Sequence, residues 1–284
     1  MYGGTAYEII GISTFVITLI WIARSWRIDR AKANPLISMF LVGLFFGFSW
    51  EPQGTGPIWS YQGFNLYVYA GIPLVIILNW SWVMILCHLI SRQIVRVFES
   101  VKSIGEHWIV DKASLFFSAA IIASIVEPIF VSMGRWQYHF LGDKAVLTFP
   151  LLNVRFHLAV IVGWGMLTTI NLTLSKRAES LATRFMSAFR LSHFVALVGS
   201  SSLLGLFSGW LSWQLVILLA TLIENVEPRI FFTRDHIIVL DWITSAQLVT
   251  ILISAAASAM YILRLKRAGM FVKNTNSVRK EVSN

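Results

Sequence analysis

The chain has 284 residues, 56% of them hydrophobic and only 13% charged, with a mean hydropathy of +0.70. A soluble domain carries about a quarter charged residues, so this composition excludes a water-soluble globular protein and implies a polytopic membrane protein. Lys and Arg outnumber Asp and Glu by 23 to 14, but in such a chain that excess belongs to the loops that set topology, and no nucleic acid partner is expected.

The first apolar run, 8–24, lacks a basic flank before it and ends in Arg24, Arg27 and Arg30, the pattern of an uncleaved span rather than a signal peptide. Further spans are predicted at 36–51, 67–90, 114–133, 156–175, 191–210, 213–228 and 239–263, from apolar runs near the length that crosses a hydrocarbon core. Basic loops follow the first, the third (Arg92, Arg96, Lys102) and the fifth (Lys176, Arg177, Arg184, Arg190), whereas 52–66 has neither Lys nor Arg. This bias puts the N-terminus outside and those three loops in the cytoplasm. Eight full spans would leave the basic tail outside. The Gly- and Ser-rich segment 191–210, "LSHFVALVGSSSLLGLFSGW", is therefore read as re-entrant or broken, a form tolerated where protein surrounds it. The expected architecture is an all-α helical bundle of seven to eight spans, with a cytoplasmic C-terminus. One integral membrane domain covers 1–270, followed by a polar, disordered tail at 271–284.

The dipeptide Glu-Pro occurs three times, at Glu51–Pro52, Glu127–Pro128 and Glu227–Pro228. Each follows an apolar segment and precedes another, suggesting a helix–Glu-Pro–helix unit repeated at 36–92, 114–177 and 213–267, with all three acids at one membrane face. Proline removes a backbone donor and disfavours helix in the residue before it, so these acids are expected where helices end or kink. Two readings stay open: interfacial residues facing water, or acids turned into the bundle, where an ionisable group is functional by default. Gly43 and Gly47 lie on the helical face of Glu51, and Ala120, Ala123 and Ser124 on that of Glu127, so both faces are small enough for close packing. Glu224 sits one turn before Glu227, a spacing at which two carboxyls share a proton and one can act as a general acid. Asp241 shares a face with Thr244, Ser245 and Leu248, and reads equally as a first-turn acid complementing the helix dipole. Trp50, Trp59, Tyr61, Tyr67, Tyr69, Trp136 and Tyr138 crowd the first two acids, either as interface belts or as aromatic faces that stabilise a cation.

A single cysteine, Cys87, leaves no internal disulfide and no Cys-based metal cage. The sequence has neither a dinucleotide fingerprint nor a Walker A motif, and its six histidines (88, 107, 139, 157, 193 and 236) form no ligand cluster. No cofactor and no metal are expected. What remains is acid–base chemistry by carboxyls on an apolar substrate.

The stretch "FGFSWEPQGTGPIWSYQGFNLYVYAGIPLVIILNWSWVM" carries Glu51, Gly54–Thr55–Gly56, Tyr67, Tyr69, Gly71, Pro73–Leu74 and Trp80 in that order. A second, "SIVEPIFVSMGRWQYHF" with "FPLLNVRFHLAVIVGW", carries Glu127–Pro128, Gly134, Trp136, Pro150–Leu151, Asn153 and Gly163–Trp164. Over about residues 47–171 this order resembles the carotenoid biosynthesis membrane family, which includes hydratases of the bisanhydrobacterioruberin hydratase type. The chain departs from the family pattern at Glu127, where Asp is common, and at Ala123, where a further acid is common.

The resemblance implies a cofactor-independent hydratase, of the lyase class, that protonates a terminal alkene of an acyclic carotenoid and adds water to give a tertiary alcohol. Glu127 would be the acid and Glu51 its partner or water-orienting base. Tyr67, Tyr69 and Trp136 would line the cation site, Trp80, Asn153 and Trp164 would contact substrate, and Glu224, Glu227 and Asp241 are secondary candidates. The partners implied are a lipophilic isoprenoid or carotenoid and membrane lipids; the oligomeric state is left open. Two rivals keep part of this picture: a terpene or lycopene-type cyclase using the same acid, and a proton-linked membrane carrier.

Overall fold

The computed structural model describes residues 2–55, 59–69, 71–101, 107–138, 146–149 and 154–224. In lipid a backbone can satisfy its polar groups only within its own segment, and the apolar runs form six helices of 25 to 32 residues. In chain order the elements are α1 (Tyr2–Ile28), α2 (Arg30–Gly54), β1 (Trp59–Tyr61), β2 (Tyr67–Tyr69), β3 (Ile72–Pro73), α3 (Leu74–Val101), α4 (His107–Ser132), β4 (Trp136–Tyr138), β5 (Val146–Phe149), β6 (Val154–His157), α5 (Leu158–Phe189) and α6 (His193–Glu224). All lie in the first of two units, Met1–Thr233. Five of the six helices, all but α5, are long and apolar enough to cross a membrane, and the chain fits an integral membrane protein.

Side-chain contacts fix the direction of each helix. Gly43 and Gly47 of α2 lie against Trp80 and Ile77 of α3 respectively, so these two run antiparallel. Asp111 pairs with Lys176 at 2.8 Å, Lys112 donates to Thr173, and Gly165 lies against Phe116, so α4 and α5 do likewise. Ser200 and Ser208 of α6 donate to Ala178 and Asn171 of α5. Gly205 and Gly209 lie against Val42 and Ser49, so α6 runs parallel to α2. The C-termini of α2, α4 and α6 therefore share one end of the bundle, and the N-termini of α3 and α5 meet them there.

The helix α2 is the central strut. Its Gly43–Gly47 pair admits the α3 backbone on one side, while Gly205 and Gly209 admit α2 itself on the other. Without a hydrophobic drive between helices in lipid, such backbone approach and buried hydrogen bonds supply the cohesion. The α5–α6 seam shows the second kind: Asn171, Ser175, Ser200 and Ser208 are all buried and hydrogen-bonded there or to their own helix. At the opposite end Asp29 caps α2, its carboxylate accepting from the Lys32 N–H at 3.2 Å and pairing with the Lys32 ammonium at 3.1 Å.

Several expectations change. Segment 191–210 is not broken: from His193 it is the first part of one continuous helix that also takes in the predicted span from 213 as far as Glu224. Gly205 and Gly209 serve as contact points for α2, and Ser200, Ser202 and Ser208 donate to carbonyls of the facing helix or their own, so these residues do not weaken the helix. Pro52 and Pro128 do not end their helices at the preceding glutamate; α2 continues to Gly54 and α4 to Ser132. A proline this close to a C-terminus removes one ladder bond from a turn that is already fraying. The span predicted at 67–90 has helix only from Leu74, because Tyr67–Tyr69 and Ile72–Pro73 form the ribbon β2–β3. Three short antiparallel ribbons, β1–β4, β2–β3 and β5–β6, are absent from the all-α reading. The predicted span 239–263, the third Glu-Pro site and the tail at 271–284 lie outside the described residues.

A Cβ at Gly43 would stand 2.5 Å from the Trp80 carbonyl oxygen and 3.0 Å from Ser81 Cα, both backbone atoms. Gly43→Ala is therefore expected to destabilise the protein by about 1–3 kcal/mol, the usual cost of overpacking. Gly199→Ala, where no atom stands within 4 Å, should leave the thermal unfolding midpoint in detergent unchanged or slightly raised.

Candidate functional site

Glu51 and Glu127 occupy the last turns of two parallel helices, and the connections that follow them pair with each other. In the ribbon β1–β4, Trp59 faces Tyr138, Ser60 faces Gln137 and Tyr61 faces Trp136. Alternation along a strand puts Trp59, Tyr61, Trp136 and Tyr138 on one face and the two short polar residues on the other. Arg135 extends the join, donating to the Gly63 carbonyl at 2.8 Å while its own carbonyl accepts from the Gln62 N–H at 3.0 Å.

That ribbon and the next helices deliver donors to the acids in the same way twice. Glu51 Oε2 accepts from the Tyr61 hydroxyl at 2.7 Å, and its Oε1 from the Trp80 indole N–H at 2.6 Å. Glu127 Oε2 accepts from the Tyr138 hydroxyl at 2.6 Å, and its Oε1 from the Trp164 indole N–H at 2.7 Å. Trp80 is the seventh residue of α3 and Trp164 the seventh of α5. Their rings meet with centroids 4.9 Å apart, so the two carboxyls hang from one indole pair, within electrostatic reach of each other. Each glutamate is only 2% exposed. A buried carboxyl is tolerated only when its oxygens are hydrogen-bonded, and here four donors meet four oxygens.

An aromatic shell encloses the pair. Phe46 packs edge-on to Trp80, and a run of Trp50, Trp59 and Trp213 joins α2, β1 and α6. On the Glu127 side Trp136 stacks on Phe130 at 4.9 Å and meets Tyr61 edge-on. Tyr7 of α1 closes the flank, its ring 4.3 Å from that of Phe130. Its hydroxyl accepts from Asn79, whose own Oδ1 takes the Trp82 indole N–H, and it lies within electrostatic reach of both glutamates. Next to it Glu8 accepts from the Asn65 and Leu66 N–H groups at 2.7 and 2.8 Å and from the Asn65 amide at 2.6 Å. One carboxylate thus ties the start of α1 to the loop between β1 and β2. Burial first, and then the Glu51 carboxylate beside it, hold the Tyr61 phenol well above its ordinary value; burial and Glu127 do the same for Tyr138. Both remain hydrogen-bond donors through the physiological range.

Of the residues singled out from the sequence, the structure brings together Glu51, Glu127, Trp80 and Trp164, with Trp136 one layer behind. Tyr67 is not part of the cluster. It is 43% exposed on β2, and its hydroxyl accepts from the Phe64 N–H, because β2 pairs with β3 rather than with the acid-facing ribbon. The side chains of Tyr69 and Glu224, and all of Asn153, Glu227 and Asp241, lie outside the described residues. Tyr61 and Tyr138, expected only as part of an aromatic crowd, are direct partners of the acids; Tyr7, Glu8 and Asn79 were not anticipated. A signal for the tyrosines exists. The tripeptide Trp-x-Tyr recurs after both Glu-Pro sites, as Trp59–Tyr61 and Trp136–Tyr138. Among the described residues no cluster of three His, Cys, Asp or Glu could hold a metal ion.

Comparison with family models, curated proteins and solved structures gave no match.

Tyr61→Phe or Tyr138→Phe strips one oxygen of a buried carboxyl of its donor and should cost about 1–3 kcal/mol, read as a lowered unfolding midpoint in detergent. The raised phenols also set a pH dependence. Their contribution is constant below the unfolded tyrosine value of about 10 and is lost as pH rises beyond it. Wild-type stability should therefore fall in strong alkali, and the two Phe variants should lose less of it over the same range.

Proposed function

We propose that this chain is a membrane enzyme that protonates a terminal alkene of an acyclic carotenoid or related isoprenoid and adds water to the resulting cation, giving a tertiary alcohol. The observation that carries the proposal is the buried Glu51–Glu127 pair, held by two hydroxyls and two indoles inside an aromatic shell. Such a pair can hold and pass a proton next to an apolar substrate without any cofactor.

In the proposed cycle Glu127 transfers its proton to the less substituted alkene carbon, and the positive charge develops on the tertiary carbon. The faces of Trp80, Trp164 and Tyr7 stabilise that charge by cation–π attraction. The oxygen of a water bonds to the tertiary carbon, and the proton it sheds goes to the Glu51 carboxylate. Transfer between the two acids resets the site. Tyr61 and Tyr138 keep each carboxyl aimed through the cycle, since their hydroxyls can donate to a carboxylate or accept from a carboxylic acid. With the C-terminal tail in the cytoplasm, as the basic loops suggest, the acid end of the bundle faces the opposite side.

One observation favours a second reading. Both acids are almost fully shielded from solvent, and in a dry site an internal alkene captures the cation before water does, making the chain a cyclase. The carrier reading is less well supported, because broken helices in inverted repeats mark secondary transporters, whereas the two acid-bearing helices here run parallel and unbroken. Expression in cells that make an acyclic carotenoid, followed by product mass analysis, separates the three. A gain of one water is expected; an isomer of unchanged mass would establish cyclisation, and no new product would overturn the enzyme assignment.

Glu127→Gln and Glu51→Gln test the roles of the acids. The Gln side chain can turn its oxygen toward the indole, which only donates, and its amide toward the tyrosine, which can accept, so folding should survive. Neither variant can pass a proton at that position, and turnover should fall by about 10²–10⁴-fold in each. The matched surroundings of the two acids predict comparable losses. Normal product formation by Glu127→Gln at equal protein level would refute the mechanism.

A further inference from the structure

On the flank of the acid pair that α1 covers, a chain of hydrogen bonds runs in one direction and stops at Tyr7. The Trp82 indole can only donate, and it donates to Asn79 Oδ1 at 2.9 Å. That settles which end of the Asn79 amide is which, so its Nδ2 faces the Tyr7 oxygen and donates to it. Gly11 makes the room, since a Cβ there would stand 2.9 Å from Asn79 Oδ1. With its oxygen accepting from Asn79, Tyr7 still has a hydroxyl hydrogen to give, and no atom among the described residues receives it. The hydroxyl lies within electrostatic reach of Glu127 and Glu51, and negative charge on that pair turns the positive end of an O–H dipole toward it. The Tyr7 ring is pinned on Phe130, which stands three residues after Glu127 on α4. A second donor in this layer is also unmatched. Trp136, stacked on Phe130, is 6% exposed, and its indole N–H has no acceptor among the described residues. Buried donors are normally matched. Each oxygen of the two carboxyls accepts from one donor and has a second lone pair. Spare donors beside carboxyl oxygens with spare lone pairs are what a water bridges, accepting on one side and donating on the other. A hydrocarbon substrate offers no such acceptor.

We propose that the Tyr7 hydroxyl holds one water molecule beside the acid pair, the water accepting from Tyr7 and donating to a carboxyl oxygen. Its catalytic role rests on the hydration reading above: this is the water that captures the cation. One of its lone pairs is engaged by Tyr7, and the other bonds to the tertiary carbon while a proton passes to the Glu51 carboxylate. A single held water hydrates the cation without opening the shell to bulk solvent, which reconciles hydration with acids that are each 2% exposed. Without it, the cation instead loses a proton from a neighbouring carbon to the same carboxylate, and the product is an alkene isomer of unchanged mass. Tyr7 thereby sets the ratio of alcohol to isomer.

Two measurements test this, one of the water and one of its role. A crystal structure of the full chain at a resolution that shows ordered water should place an oxygen about 2.5–3.0 Å from Tyr7 Oη, and the Tyr7→Phe structure should lack it. This result does not depend on any activity, and a wild-type structure without that oxygen would overturn the proposal. The role is read from product masses in cells that make an acyclic carotenoid. Tyr7→Phe keeps the ring and its packing on Phe130, and should lower the ratio of alcohol to isomer about tenfold, the effect of one lost hydrogen bond. Tyr61→Phe, which removes a different hydroxyl from the shell, should lower total product and leave the ratio as in the wild type. Hydration by the wild type with the same ratio in Tyr7→Phe, or with equal shifts in both variants, would overturn the role of Tyr7 while the hydration reading stands. A wild type that adds no water would overturn that reading and the role together, and the oxygen beside Tyr7 would then stand or fall on the crystal structures alone.

Discussion

Two carboxyls are held almost fully shielded from solvent, and much of the architecture at that end of the bundle answers this constraint. The oxygens of Glu51 and Glu127 need four donors, and no single helix can supply them, since its own backbone N–H groups are spent on its ladder. The donors come from the ribbon that crosses above each acid and from the helix that follows it. The connections after α2 and α4 must therefore return over the helix ends, which is what pairing β1 with β4 achieves. The next helices must enter close enough for an indole in their second turn to reach back, and Gly47 permits this for α3 by admitting the Ile77 backbone. Small residues in the helices and aromatic residues in the loops serve one purpose.

Much of this was legible in the sequence, but unevenly. The Glu-Pro recurrence located both acids, and the small residues a turn or two before them announced close packing. Trp80 and Trp164 stood out, although nothing in their spacing said that their N–H groups, rather than their faces, would meet the acids. The helix boundaries failed where local signals conflict with the environment. Gly and Ser in 191–210 read as helix-breaking, yet within a membrane a serine bonds to the preceding turn and a glycine is a place for another helix to approach. Tyr61 and Tyr67 both follow Glu51 in the same connection, and only the register of a three-residue ribbon decides which of them faces it. Such short strands carry too few residues to show a period.

The two acid sites are variations on one unit: helix, Glu-Pro, Trp-x-Tyr, helix with a tryptophan in its second turn. Units of this kind arranged in parallel place like beside like, so the acids end up side by side and share the Trp80–Trp164 contact. Had the units been inverted, the acids would lie at opposite ends of the bundle and could not share that contact. The helix α6 runs in the same direction as α2 and α4, and its Trp213 joins the same aromatic shell.

For the proposed chemistry access is the remaining constraint, because an isoprenoid would have to reach acids that are covered above by a ribbon. From the side the cover on the Tyr7 flank is α1. It carries a row of outward apolar residues, among them Ile9, Ile10, Ile17 and Ile20, all more than 60% exposed. Three residues in its first half anchor it at the acid end: Tyr7 on Asn79, Glu8 on the loop at Asn65, and Gly11 against Val75 and Asn79. The anchors are specific where the helix covers the site, while the rest of its surface offers lipid the flank nearest the acids. That division suits a wall which holds Tyr7 in place on the Glu127 side and which, under the proposed function, would stand between the acids and an apolar substrate.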